Sequence, residues 1–165
     1  FIDYARYDTE EVTQETDLNA IIAELVQARH LDDRHHIELK LNTIPPLSLR
    51  RIAMKRVVDN LIENAFKYGS EEIAISSFYN RHEKRVYCKV RDFGPGIPED
   101  ELNSVFMPFA QGDKARNSSG SGLGLAIIRR IVEAHDGEVT LRNHPQQGLV
   151  AEFYLPYLSE LPEKK

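Results

Sequence analysis

An α+β fold, in which one mixed and mainly antiparallel sheet is covered by helices, follows from three observations on the sequence. Helical and strand periodicities alternate irregularly, without the strict strand–helix repeat of a parallel sheet. The strand-like runs are joined by hairpin-length links, which imply antiparallel neighbours. The 165 residues, 41% hydrophobic and 28% charged, suit one domain burying about 70% of its unfolded surface. A doubly wound α/β fold is the alternative.

Each element has its own signal. Asp17 can cap a helix in which Leu18, Ile21, Ile22, Leu25 and Val26 repeat at i, i+3, i+4, i+7 and i+8. Ile37, Leu39 and Leu41 alternate as a strand closed by Pro45-Pro46. Ser48 is expected to cap a long helix burying Ile52, Val57, Leu61, Ile62 and Ala65, with Gly69 as its C-terminal cap. Strands follow over 73–78 and 86–91, joined by the charged hairpin Asn80–Lys84. Pro98 can open a short helix reaching Val105. Residues 107–121 read as a polar loop, 123–134 as a helix stopped by Gly137, and 138–142 and 151–155 as two last strands. Phe1-Ile-Asp-Tyr-Ala-Arg reads as the end of a helix whose body lies elsewhere. The expected organisation is therefore the end of a preceding helical domain or linker over 1–16, the principal domain over 17–156 and a polar tail over 157–165, the whole being a piece of a longer protein.

Composition narrows the partners. A net charge of −5 leaves no overall basic surface for nucleic acid, so any polyanion must meet locally clustered Lys and Arg. No apolar run approaches the roughly 18 residues of a membrane span. The single cysteine, Cys88, stands in the alternating run Val86–Val90 and reads as reduced core packing.

Three glycine- and amide-rich elements carry the chemistry. In Asn60-Leu-Ile-Glu-Asn64-Ala-Phe-Lys67-Tyr68-Gly69, two asparagines one helical turn apart offer neutral oxygens to a Mg²⁺ that also binds triphosphate, and Lys67 adds an ammonium. Alone, such asparagines decorate a solvated face just as well. In Asp92-Phe-Gly94-Pro-Gly96, a carboxylate at a strand end can accept a hydrogen bond from an exocyclic amine such as adenine N6, while the glycines admit a flat base; an ordinary turn would read the same way. In Gly120-Ser121-Gly122-Leu123-Gly124-Leu125, free backbone N–H groups at a helix start favour phosphate, although a glycine-rich turn alone is equally a linker. No P-loop is present, and no pairing of an H-R-D with a D-F-G points to a protein-kinase fold.

In this order, and with Phe106-Met-Pro-Phe109 between the second and third, the elements resemble the N, G1, F and G2 boxes of the histidine-kinase ATP-binding domain, in the family that also holds gyrase B, Hsp90 and MutL. The match covers about residues 17–156. More narrowly, Asn64-Ala-x-Lys67-Tyr68-Gly69 and Phe109-x-x-Gly112-Asp113-x-Ala115-Arg116 are similar to an osmosensor kinase of that family. The resemblance implies a Bergerat-type two-layer sandwich with a flexible ATP lid over about 112–122, and ATP and Mg as cofactors. Asn60 and Asn64 would hold Mg and phosphate, with Asn60 and Lys67 the catalytic pair. Tyr68 would pack on the adenine, Asp92 would read it, and Gly94, Gly96, Ile97 and Phe109 would shape its pocket. Lys114 and Arg116 would reach phosphate, with Gly120, Ser121, Gly122, Leu123, Gly124 and Leu125 at the lid hinge. It further implies a bacterial inner-membrane protein with this domain in the cytoplasm, a homodimer through its own dimerisation and histidine-phosphotransfer domain, and an OmpR-like response regulator as partner.

Gyrase-like members place a water-activating glutamate where this chain has Asn60, an amide with no useful basicity. Water attack should be poor; Glu63, three residues on, is a minor general-base candidate. None of the six histidines sits in the family's acceptor context. The adjacent pair His35-His36 reads as solvated, and His135 as an imidazolium favoured at a helix C-terminus. Two functions of different class remain: the catalytic domain of a sensor histidine kinase, or a nucleotide-sensing or anti-sigma-type serine kinase module of the same family.

Overall fold

The chain runs β1 (Gln14–Thr16), α1 (Leu18–Ala28), β2 (His36–Leu41), β3 (Leu47–Leu49), α2 (Arg51–Asn64), a π-helical turn (Ala65–Gly69), β4 (Glu72–Asn80), β5 (Arg85–Asp92), two 3-10 turns (Glu99–Glu101 and Ser104–Phe106), α3 (Gly124–Ala134), β6 (Glu138–Asn143) and β7 (Leu149–Pro156). This is a computed structural model in which residues 11–30, 32–102, 104–106 and 124–158 are described. The main sheet has the order β2-β4-β5-β7-β6, with β2 parallel to β4 and the other pairs antiparallel. Alternate strand residues, among them Ile73, Ile75, Val86, Cys88, Val90, Phe153 and Leu155, turn inward onto α1, α2 and α3 and form one core with them. The α+β expectation holds, and the doubly wound alternative does not.

α1 matches its expectation closely. Asp17 caps it by accepting the Asn19 N–H at 3.0 Å, and Leu18, Ile21 and Ile22 are buried. The N-terminus of α2 differs from expectation. Ser48 lies in β3 opposite Glu15, and the helix begins at Arg51, with no side-chain cap from Arg50. Glu11 caps it from outside the helix, its two carboxylate oxygens accepting the N–H groups of Ile52 (2.6 Å) and Ala53 (3.0 Å), where the helix dipole favours an anion. The buried stripe is Ala53, Met54, Val57, Val58, Leu61 and Ile62, which leaves Ile52 63% exposed instead of buried. The small strand pair β1·β3, unanticipated, is antiparallel and sits before the helix start.

α2 does not end on a Gly69 cap. It widens into the π-helical turn, where the Ser70 N–H reaches the Ala65 carbonyl at 3.2 Å. The short helix expected from Pro98 to Val105 is two 3-10 turns instead. After α3, Asp136 adopts the left-handed conformation (φ 64°) that lets Gly137 N–H return to the Val132 carbonyl at 2.9 Å.

His135 also departs from expectation. Its Nδ1–H donates to the Ile131 carbonyl (2.8 Å) and its Nε2 accepts the Arg50 N–H (3.0 Å). An imidazolium has no acceptor nitrogen, and burial lowers the pKa, so this ring is neutral. His35 is held as well. Its Nδ1 lies 2.6 Å from Asp32 Oδ1 and its ring stands edge-on to Phe66, while His36 is exposed. Cys88 is buried, which pushes its thiol up to about 12 and keeps it inert.

Candidate functional site

Between the end of α2 and the ends of β5, β6 and β7 lies a small cleft, open to solvent. Val90, Leu141, Leu149 and Ala151 form its sheet wall; Leu61, Ala65, Tyr68, Ile97 and Leu125 close the sides; Asn64 and Asp92 supply the charged and amide groups. A mostly apolar cleft lined by a few polar side chains suits a small, flat ligand.

Asp92 is the centre of the site. It is 5% exposed, and burying a carboxylate is costly unless its oxygens are bonded. Oδ1 accepts two backbone N–H groups, from Gly94 at 2.9 Å and Leu149 at 3.1 Å. Among the described residues Oδ2 has no hydrogen-bond partner, so a fixed acceptor remains for a ligand donor. Two glycines make this placement possible. A β-carbon on Gly69 would overlap the Asp92 carboxyl group, and one on Gly148, whose φ is 94°, would overlap the Asp92 carbonyl.

The α2 residues approach from the other side. Asn64 and Tyr68 line the cavity, the π-helical turn carrying the chain from one to the other. Asn60 is half-buried one turn earlier, and among the described residues neither asparagine amide has a hydrogen-bond partner. Lys67 is exposed, its Nζ 5.7 Å from the Tyr68 ring centroid. Gly124 opens α3 beside Asn64, since a β-carbon there would come 3.9 Å from Asn64 Nδ2. Of the sequence-predicted residues, the fold therefore brings Asn64, Tyr68, Asp92, Gly96, Ile97 and Leu125 together around one cavity, with Gly94 bonded to Asp92 and packed against the Gly69 backbone. Phe109, Lys114, Arg116, Gly120, Ser121, Gly122 and Leu123, with the lid over 112–122, lie outside the described residues. Glu63 lies away from the cavity and faces Arg29 at 3.8 Å, whose guanidinium also holds Asp59 at 2.8 Å.

A Mg ion fits the donor chemistry. The described residues contain no group of three or more His, Cys, Asp or Glu able to hold a metal, whereas two unpartnered amide oxygens on one helix suit an ion completed by phosphate and water. Asn60 and Asn64 would hold it. Ser70, Asn143, Gln147 and Gly148, which carry no motif signal in the sequence, support the Asp92 loop. Only Gly148 left a trace, as a glycine between two strand-like runs.

A family described as histidine kinase-, DNA gyrase B-, and HSP90-like ATPase matches residues 50–159. The sensor histidine kinase GtrS of Pseudomonas aeruginosa is 35% identical over 151 residues, 92% of this chain and 30% of that protein. The alginate biosynthesis sensor protein KinB of the same species is 38% identical over 123 residues, 74% of this chain and 20% of that protein. The chain thus spans less than a third of the length of these relatives. The histidine kinase domain of the E. coli osmosensor EnvZ superposes with a TM-score of 0.69 at 35% identity, covering 92% of each chain. The mycobacterial sensor histidine kinase MprB, at 24% identity and a TM-score of 0.76, shares the fold. By its sequence match and its fold, the chain belongs to the family of histidine kinase-, DNA gyrase B- and HSP90-like ATPases.

Proposed function

We propose that this chain is the ATP-binding catalytic domain of a two-component sensor histidine kinase, delivering the γ-phosphate of ATP to a histidine on a separate dimerisation domain. The observation that carries the reading is Asp92, buried with one oxygen committed to two backbone N–H groups and the other left as an acceptor in an apolar cleft. That arrangement recognises an amine on a flat ring, as adenine N6 presents. Tyr68 would pack on the base, Asn60 and Asn64 would hold Mg and phosphate, and Lys67 would reach phosphate. Residues 112–122, with Lys114 and Arg116, would cover the triphosphate.

Asn60 sets the fate of the phosphate. An amide cannot take a proton from water, so the γ-phosphoryl group waits for a better nucleophile, a neutral imidazole. Further proposals attach to the whole protein: a homodimer anchored in a bacterial inner membrane, an OmpR-like response regulator, and EnvZ-like osmosensing as the signal.

The test is transfer in trans. The chain, mixed with a dimerisation domain carrying the acceptor histidine and γ-³²P-ATP, should label that domain, not itself, and release little free phosphate. Rapid phosphate release without the partner would identify a gyrase-like hydrolase. Tight ATP binding with no transfer to the cognate domain would identify a nucleotide-sensing module, and labelling of a serine on another protein an anti-sigma-type kinase.

A further inference from the structure

The loop that follows Asp92 carries the cavity residues Gly96 and Ile97, yet no strand pairs with it. Among the described residues its hydrogen bonds go almost wholly to side chains. The Phe93 N–H donates to Ser70 Oγ at 3.0 Å and the Phe93 carbonyl accepts from Gln147 Nε2 at 2.7 Å. At the other end Asn143 grips both sides of one residue, its Oδ1 accepting the Ile97 N–H at 2.9 Å and its Nδ2 donating to the Ile97 carbonyl at 2.7 Å. This amide does for Ile97 what a neighbouring strand would do. Asn143 ends β6 and Gln147 sits in the turn to β7, whose first residue, Leu149, presents its N–H to Asp92. Arg91 Nη2 donates to the Gln147 carbonyl at 2.9 Å and steadies the turn in return.

We infer that Asn143 and Gln147 are positioning residues for base selectivity: without lining the cavity, they fix the height and tilt of its Gly96–Ile97 wall relative to the Asp92 carboxylate. The inference rests on the adenine reading of the cavity. A loop whose polar groups are held by two amide side chains keeps a single position best while both are present: the part-buried Ile97 peptide groups are costly to leave unpaired, and the more exposed Phe93 carbonyl, once released, turns to water and lets the backbone move. A displaced wall no longer presses a planar base toward Asp92 Oδ2, while the phosphate side, built on α2 and the start of α3, is untouched. Loss of these amides should therefore fall on the base-dependent part of affinity alone.

The experiment uses the 165-residue chain with Asn143→Ala and Gln147→Ala, measuring ATP and GTP binding by calorimetry well below the melting temperature of each variant. The expected result is about a tenfold loss of ATP affinity with GTP affinity unchanged, the size of one good hydrogen bond, so that the ATP:GTP ratio falls by the same factor. Equal loss for both nucleotides, or no loss in a folded variant, would overturn the inference. If Asn143→Ala does not fold, Gln147→Ala carries the same test at the Phe93 end. Asp92→Asn, run alongside, separates the two levels. If it leaves ATP affinity intact, the adenine reading itself is wrong; if it abolishes affinity while Asn143→Ala and Gln147→Ala keep the wild-type ratio, only the positioning role is lost.

Discussion

Gly69 and Asp92, at the end of the π-helical turn and the end of β5, are packed so closely that a β-carbon at position 69 would occupy the space of the Asp92 carboxyl group. The contact joins the helix that carries the asparagines to the carboxylate that reads the base. Gly69→Ala should push Asp92 off its two backbone N–H groups, lowering ATP affinity by more than tenfold and stability by about 1–3 kcal/mol, the usual cost of overpacking. Calorimetric titration and urea unfolding measure the two effects separately. Wild-type affinity in the variant would show that the contact is slack.

Asp92→Asn should remove ATP binding and leave the fold. The amide oxygen can still accept the Gly94 and Leu149 N–H groups, so the loop has its bonds. The amide nitrogen must then replace Oδ2, and a donor would face the donor amine of adenine. Leaving both unpaired costs on the order of 2–3 kcal/mol, roughly a hundredfold in affinity. Circular dichroism should be unchanged, and a folded variant with near wild-type affinity would remove Asp92 from the site.

Most of this architecture was legible in the sequence, because periodicity and glycine spacing are local signals. Asp17 with Leu18, Ile21 and Ile22 announced α1, and the hairpin at Asn80–Lys84 placed β4 against β5. Asn64, Tyr68 and Asp92 were legible as one site only as an ordered set, each being ambiguous alone. What escaped was decided across long separations. Ser48 looks like a helix cap, but pairing with Glu15 and capping by Glu11, some forty residues away, win instead. Asn143 looks like any polar strand end until the fold sets it against Ile97. The charge of His135 escaped for the same reason. A helix dipole is visible in sequence, whereas the Arg50 N–H that demands a neutral nitrogen is not.

His135 gives stability a pH dependence with a definite sign. Its pKa is lowered in the folded protein, chiefly by burial and next by the Arg50 charge, against opposing contributions from the Ile131 carbonyl, Glu11 and Asp136. The unfolded chain therefore takes up the proton first. This contribution is intact above the unfolded value of 6.5 and is lost as pH falls below it toward the folded value. Asp32, held down to about 2 mainly by its hydrogen bond from His35, is lost later, between 3.8 and about 2. Urea midpoints should fall between pH 7 and 5 in wild type, and less steeply in His135→Gln, whose side chain does not titrate. Parallel curves for the two proteins would show that His135 binds its proton equally in the folded and unfolded chains, with no shift on folding.

The metal can be tested apart from the base. Asn60 and Asn64 present amide oxygens with no hydrogen-bond partner among the described residues, and an amide binds Mg well only when phosphate oxygens complete the shell. ATP affinity should therefore rise on adding Mg, while adenosine affinity should not. Asn64→Ala should remove most of the Mg-dependent gain, about tenfold if one oxygen ligand is worth a charge-assisted hydrogen bond, and leave adenosine binding close to wild type because Asp92 and Ile97 are unchanged. Asn60→Ala should behave alike, with the smaller loss, since Asn60 does not line the cavity and Asn64 does. A Mg-dependent gain that survives in the double variant would place the ion on other groups.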